Sequence, residues 1–350
     1  MPDEFWTDAA RMATSGLLVA VVALPAGLLA RALRPRGEPL LPRWKPWRVP
    51  WGGVEVIFAF VVIALLLPFF TVQLLEGFGF YPAVYGPDFP ASDAKGGDPG
   101  QVKEANTLRM LWANLFALPA MLGLLWLTRA GYSRRPEFVG RGSLAGKVWL
   151  AVAAWFAVTP VVLVLNAVVN AVSQSLGVPP EEHALTKLGH RPPVDQVIFA
   201  LEACIDAPLR EEILFRGILL PWCVGRTRIP GAGVSAVTAW RPWFVMVAAV
   251  AFAAVFGQGN VAPLVFALLL AAGLAAVWFL KRTGARRARA VYATAAFFAV
   301  VHSSVWPNPV PLFVLGLALG WLAARTNGIL VPVIVHGLFN AVSAVFVLRG

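Results

Sequence analysis

In the stretch "APLREEILFRGILLP" (207–221), two adjacent glutamates and two arginines interrupt an otherwise apolar segment. Two further apolar runs carry histidine: "FAVVH", ending at His302, and "HGLFN", running from His336 to Asn340. One carboxylate, two imidazoles and an amide suit hydrolysis by an activated water. Glu211, assisted by His302, would deprotonate a water aimed at a peptide carbonyl. Asn340 and His336 would donate hydrogen bonds to the resulting oxyanion. Such a site needs no metal or other cofactor. The same atoms offer a second chemistry, in which Glu211, His302 and His336 ligate zinc and leave a fourth position for water. No HExxH occurs in the chain, so the zinc version rests on generic ligand chemistry. A third reading belongs to another class, a proton relay in a proton-coupled transporter.

Helical spacing separates the charges in the first stretch. Asp206–Arg210 and Glu212–Arg216 are i,i+4 pairs that can neutralise each other. Glu211 has Phe215 at i+4, which leaves it suited to hold and release a proton. Glu202 also lacks a Lys or Arg at that spacing and is expected nearer the outer end, hydrated. Pro208 is expected to bend the helix and open its polar face. At 1.5 Å per residue, Glu211, His302 and Asn340 lie about 16, 18 and 15 Å from the inner ends of their segments, with His336 at about 9 Å. His336 and Asn340 share a helix face. The structural alternatives are specific. A lone intramembrane histidine or asparagine is often an interhelical hydrogen-bond partner, and a buried Glu–Arg pair mainly locks geometry.

These residues must be positioned by membrane helices. The chain has 350 residues, 59% hydrophobic and 13% charged, with a mean hydropathy of +0.72. Soluble domains run at about 45–50% apolar and about 25% charged. The sequence therefore predicts an all-α, polytopic integral membrane protein of about 8–10 spans. Apolar runs lie at 12–30, 53–75, 108–128, 148–172, 197–222, 242–258, 261–280, 290–306, 310–324 and 330–348. The first follows Asp3, Glu4 and Asp8, and reads as a retained anchor rather than a cleaved leader. Within the spans the ionisable residues concentrate in the fifth, eighth and tenth. Elsewhere the cores are nearly clean, apart from Glu55, Asn166 and Asn170.

Charge gives an independent check. With the N-terminus outside, the loops 31–48, 129–147, 223–241, 281–289 and 325–329 face inward and hold 20 of the 29 Lys and Arg residues. The long loops 76–107 and 173–196 carry the acids. The net charge of +11 is thus topological, and nucleic-acid binding is not expected. "GARRARA" (284–290) reads as part of this signal rather than as a lipid-binding patch. The 76–107 loop reads as irregular. Gly316 and Gly320 form a GxxxG, which points to close helix packing. Cys204 and Cys223 on one helix would stand about 28 Å apart, too far for a disulfide.

Three motifs in order, EExxxR ("EEILFR"), FxxxH (Phe298 to His302) and HxxxN (His336 to Asn340), resemble those of the CPBP family, which includes type II CAAX-prenyl endopeptidases and bacteriocin-processing or immunity proteins. The surroundings "APLREEILFRG" and "GLALGWLAARTNGILVPVIVHGLFNA" (316–341) are similar to that family as well. The resemblance implies that Glu211 activates water together with His302, while His336 and Asn340 stabilise the oxyanion. It further implies that Glu212 and Arg216 brace the first motif and that Phe298 packs beside the site. A glutamic-type intramembrane endopeptidase is expected, with a peptide or lipidated protein in the bilayer as substrate. CAAX-type processing is the chemistry of one branch; a catalytically idle immunity-type protein is the alternative. Positive loops and few cysteines suit a bacterial plasma membrane. The chain divides on this reading into N-terminal spans, 1–196, and a catalytic core, 197–348. The 85 residues between Arg216 and His302 depart from the family pattern and add a helical hairpin at about 230–285.

Overall fold

A computed structural model describes residues 49, 51–90, 99–130, 143–175, 191–224, 237–256, 261–280 and 285–349. The expected span at 12–30 lies outside them. Among the described residues the regular structure is entirely helical, as the composition requires. The helices are α1 (Gly53–Gly77), α2 (Phe80–Tyr85), α3 (Pro99–Ala130), α4 (Leu144–Ser175), α5 (193–224), α6 (Val237–Phe256), α7 (Ala262–Leu280), α8 (Ala285–Val300), α9 (Pro309–Thr326) and α10 (Leu330–Arg349). Among the described residues, six helical segments within α1, α3, α4, α6, α7 and α9 are long and apolar enough to cross a membrane, and α10 contains a shorter apolar stretch. On α1 the side chains of Val54, Ile57, Phe58, Leu65, Phe70 and Leu74 are exposed. A continuous apolar face of that kind needs lipid around it. This is an integral membrane protein.

The chain folds into two compact units. One comprises Met1–Val49, Glu137–Glu182 and Phe215–His336; the other comprises Pro50–Pro136, His183–Leu214 and Gly337–Gly350. The unit boundaries fall inside α5 and α10.

In the first unit α8 packs against α6, α7 and α9, and α9 also packs against α4. The GxxxG of α9 does what its spacing suggests. A Cβ on Gly316 would stand 3.1 Å from the Ala295 Cβ and 3.2 Å from Phe298, and one on Gly320 would stand 3.1 Å from Val291. Small residues here let two backbones approach. The eighth span ends sooner than its hydropathy implies. Helix α8 stops at Val300, and residues 301–308 form turns. Ser303 directs both its N–H (3.1 Å) and its hydroxyl (2.5 Å) to the Val300 carbonyl, a local bond that competes with helix continuation. Pro307 and Pro309 then deny the backbone further donors. Helix α9 ends at Asn327, whose φ of 56° is the left-handed cap conformation that asparagine tolerates.

In the second unit a core of Leu108, Leu111, Ile198, Phe199 and Ala344 joins α3, α5 and α10. The 76–107 loop is more regular than its Gly- and Pro-rich composition implies. Helix α2 lies within it, bounded by Gly79 (φ 65°) and Gly86 (φ 96°), and α3 already begins at Pro99. Side chains supply the order. Arg109 Nε donates to Glu76 at 2.8 Å, its other nitrogens reach Asn106 and the Pro90 carbonyl, and its guanidinium lies 4.8 Å from the Phe89 ring. Tyr85 donates to the fully buried Asp195 at 2.7 Å and accepts from Trp112 at 2.9 Å.

The α8–α9 contact is testable. Gly316→Ala is expected to destabilise the protein by about 1–3 kcal/mol through overpacking. Thermal unfolding in detergent measures it, and an unchanged midpoint would show that the helices can separate at no cost.

Candidate active site

The three motifs are divided between the units. Arg216, Phe298, His302 and His336 belong to the first, and Glu211, Glu212 and Asn340 to the second.

Phe298 is the hub of the first group. It is fully buried, and the Arg216 guanidinium carbon lies 4.4 Å from its ring centroid. The rings of His302 and His336 stand 4.9 and 5.7 Å away, and Phe215 meets it edge-on at 5.3 Å. Arg216, 1% exposed, also donates to the Gly316 carbonyl at 3.3 Å. The glycine that brings α8 to α9 thus also presents a backbone acceptor to the buried cation.

The helix end at Val300 has a chemical consequence. The His302 N–H bonds to the Ala299 carbonyl, three residues back, instead of to Phe298. The Phe298 carbonyl lies 2.7 Å from His302 Nδ1. A carbonyl oxygen can only accept, so Nδ1 carries the proton and the neutral ring keeps its lone pair on Nε2. The FxxxH spacing therefore sets the tautomer of the histidine as well as packing a phenyl ring against it.

In the second unit the expected Asp206–Arg210 pair forms at 3.1 Å. Glu202 is not the hydrated acid that i,i+4 spacing suggested. It is 8% exposed, accepts from the same Arg210 at 3.1 Å, and accepts from Asn114 of α3 at 3.0 Å. Two carboxylates share one guanidinium, and both feel the charge of Glu211. Glu211 itself is half-buried, while Glu212 is fully buried. Sequence reading missed Asn114 and Arg109, both within an apolar run. An amide and a guanidinium inside a span were the available signals.

Pro208 acts through hydrogen bonding. The turn Glu202–Asp206 is π-helical, and the Ala207 N–H bonds to Glu202, five residues back. Ala203 therefore loses its α-helical donor, and its next candidate, Pro208, has no N–H. Asn340 supplies the missing bond, with Nδ2 at 2.8 Å from the Ala203 carbonyl. Close contact makes this reach possible. A Cβ on Gly337 would stand 2.5 Å from the Cys204 carbonyl, so the glycine of "HGLFN" lets α10 lie against α5. The Ala203 bond uses one of the two N–H groups of the Asn340 amide.

Residues 193–286 and 278–342 match the Rce1-like type II CAAX prenyl endopeptidase family. The C-terminal portion of this chain is similar to that family. The resemblance read from the three motifs is borne out, and all three lie within the matched residues of the Rce1-like region. No curated protein and no solved structure matches the chain. The match is to a protease family, which supports proteolysis over transport. Among the described residues, neither unit of the protein gathers three His, Cys, Asp or Glu side chains into a metal-holding group.

Two substitutions in the Rce1-like region test this geometry. Asn340→Ala should cost about 1–3 kcal/mol by leaving the Ala203 carbonyl unsatisfied. Arg216→Lys keeps the charge but loses the flat guanidinium over Phe298, and should cost about 2 kcal/mol. Chemical denaturation in detergent micelles reads both, and full stability in either variant would remove that residue from the framework.

Proposed function

We propose that this protein is an intramembrane endopeptidase of the CAAX-processing type. It cleaves a peptide bond in a membrane-associated protein with water activated by Glu211 and His302. Glu211 takes the proton of the water, and the hydroxide adds to the carbonyl carbon. His336 and the second N–H of Asn340 donate to the oxyanion. Collapse breaks the C–N bond, and the proton held by Glu211 passes to the departing amine. Glu212 and Arg216 brace the first motif.

The observation that carries this reading is the family match over residues 193–342, with all three motifs inside it. The tautomer of His302 supports its part, because Nε2 is the nitrogen left to accept a proton or to polarise the water. A glutamic-type mechanism is favoured over zinc by the donor set, since the Asn340 amide is a good hydrogen-bond donor and a poor metal ligand.

The test uses purified protein in liposomes with a prenylated CAAX peptide. Glu211→Gln should lower kcat about 10²–10⁴-fold while preserving the melting temperature. Cleavage at the wild-type rate by that variant would remove the glutamate base from the mechanism. Activity that disappears with chelator and returns with zinc would replace the glutamic mechanism with the metal one.

A further inference from the structure

One end of the first unit gathers cations from three helices onto indole rings. Arg289, at the start of α8, lies 3.9 Å from the Trp278 ring centroid at the end of α7. Trp278 stacks on Trp240 at 5.5 Å and meets Trp243 at 6.2 Å, both at the start of α6. Arg241, between them in sequence and 6% exposed, lies 5.0 Å from the Trp222 ring and donates to the Trp222 carbonyl at 2.7 Å. Arg325, at the end of α9, lies 5.5 Å from Trp321. The guanidiniums also act on one another. The Arg286 charge reaches Arg241, and partial burial followed by the Arg325 charge lowers the pKa of Arg287.

Two features of this end argue for an anionic ligand. An anion placed among several guanidiniums gains Coulomb energy from each of them. A guanidinium already flat on an indole is a prepared fork, and little further freedom is lost when it grips a phosphate. The described residues of this unit include Lys147, Arg216, Arg241, Arg286, Arg287, Arg289 and Arg325, and contain no Asp or Glu. Tryptophan is the side chain enriched at headgroup level, and Trp240 and Trp321 are exposed there beside the basic groups. Basic pockets between membrane helices are the form that headgroup sites take.

We propose that the end of the first unit formed by Arg241, Arg286, Arg287, Arg289 and Arg325 with Trp222, Trp240, Trp278 and Trp321 binds the phosphate of an anionic phospholipid. The lipid phosphate sits among the guanidiniums and the acyl chains run along the apolar faces of α6 and α7. The site is separate from the three motifs and does not depend on the protease reading.

Native mass spectrometry of the full-length protein, released from micelles doped with equal phosphatidylglycerol and phosphatidylcholine, tests this. The wild-type protein should retain phosphatidylglycerol preferentially. Arg286→Gln/Arg289→Gln should lower that preference about fivefold for each charge removed. The exposed single variant Arg287→Gln, which places no demand on folding, should lower it about fivefold. Lys103→Gln, in the other unit, should leave it unchanged. Equal retention of the two lipids by wild type, or a preference untouched by the arginine variants, would overturn the proposal. Displacement of the lipid by millimolar inorganic phosphate would also overturn it, in favour of a site for free phosphate.

Discussion

A guanidinium buried in an apolar helical unit must be satisfied from every side, and Arg216 determines how that is done. Its face needs a π system, which Phe298 provides, and its edge needs an oxygen, which the Gly316 carbonyl provides. The carbonyl is reachable because glycine at 316 lets α8 and α9 close on each other. Phe298, fixed between the cation and α9, in turn contacts both histidine rings. One desolvated charge thus orders residues from three sequence motifs that are otherwise far apart along the chain. Removing a partner from a buried charge is strongly destabilising, so these contacts resist change.

Proline plays the corresponding part in the backbone. The π-helical turns at Val61–Leu66, Glu202–Asp206 and Ile213–Leu219 are each followed, two residues on, by a proline: Pro68, Pro208 and Pro221. A proline removes a donor and crowds the carbonyl one turn back, and a widened turn relieves the crowding. Pro119 and Pro160 sit inside α3 and α4 without such a turn, so proline permits the widening and does not compel it. At Pro208 the released Ala203 carbonyl recruits Asn340. Asn340 therefore has a structural duty besides the catalytic one proposed for it, and the two N–H groups of one amide allow both.

The arginine–tryptophan end of the first unit shows why a loop charge pattern and a binding site are not alternatives. A basic loop such as "GARRARA" can orient a membrane chain by its charge alone, wherever its side chains point. Once α7 and α8 pack together, Arg289 of that stretch lies against the Trp278 indole of α7, and part of a basic run acquires shape.

The membrane class, the helical content, the three motifs and the family resemblance were all legible in the sequence. They depend on composition, on apolar run length and on residue order, none of which requires knowing what touches what. The Asp206–Arg210 pair and the GxxxG contact were legible too, because both follow from helical spacing. Tertiary structure decided the rest. Hydropathy carried the eighth span to 306, whereas local hydrogen bonds and prolines end α8 at Val300, and that ending gives His302 its tautomer. Spacing left Glu202 hydrated, whereas Arg210 reaches back two turns and Asn114 arrives from α3. Composition made 76–107 an irregular loop, whereas Arg109 and Tyr85 hold α2 within it. In each case the deciding partner is remote in sequence, or is a backbone group whose availability depends on where a helix stops. Periodicity records neither.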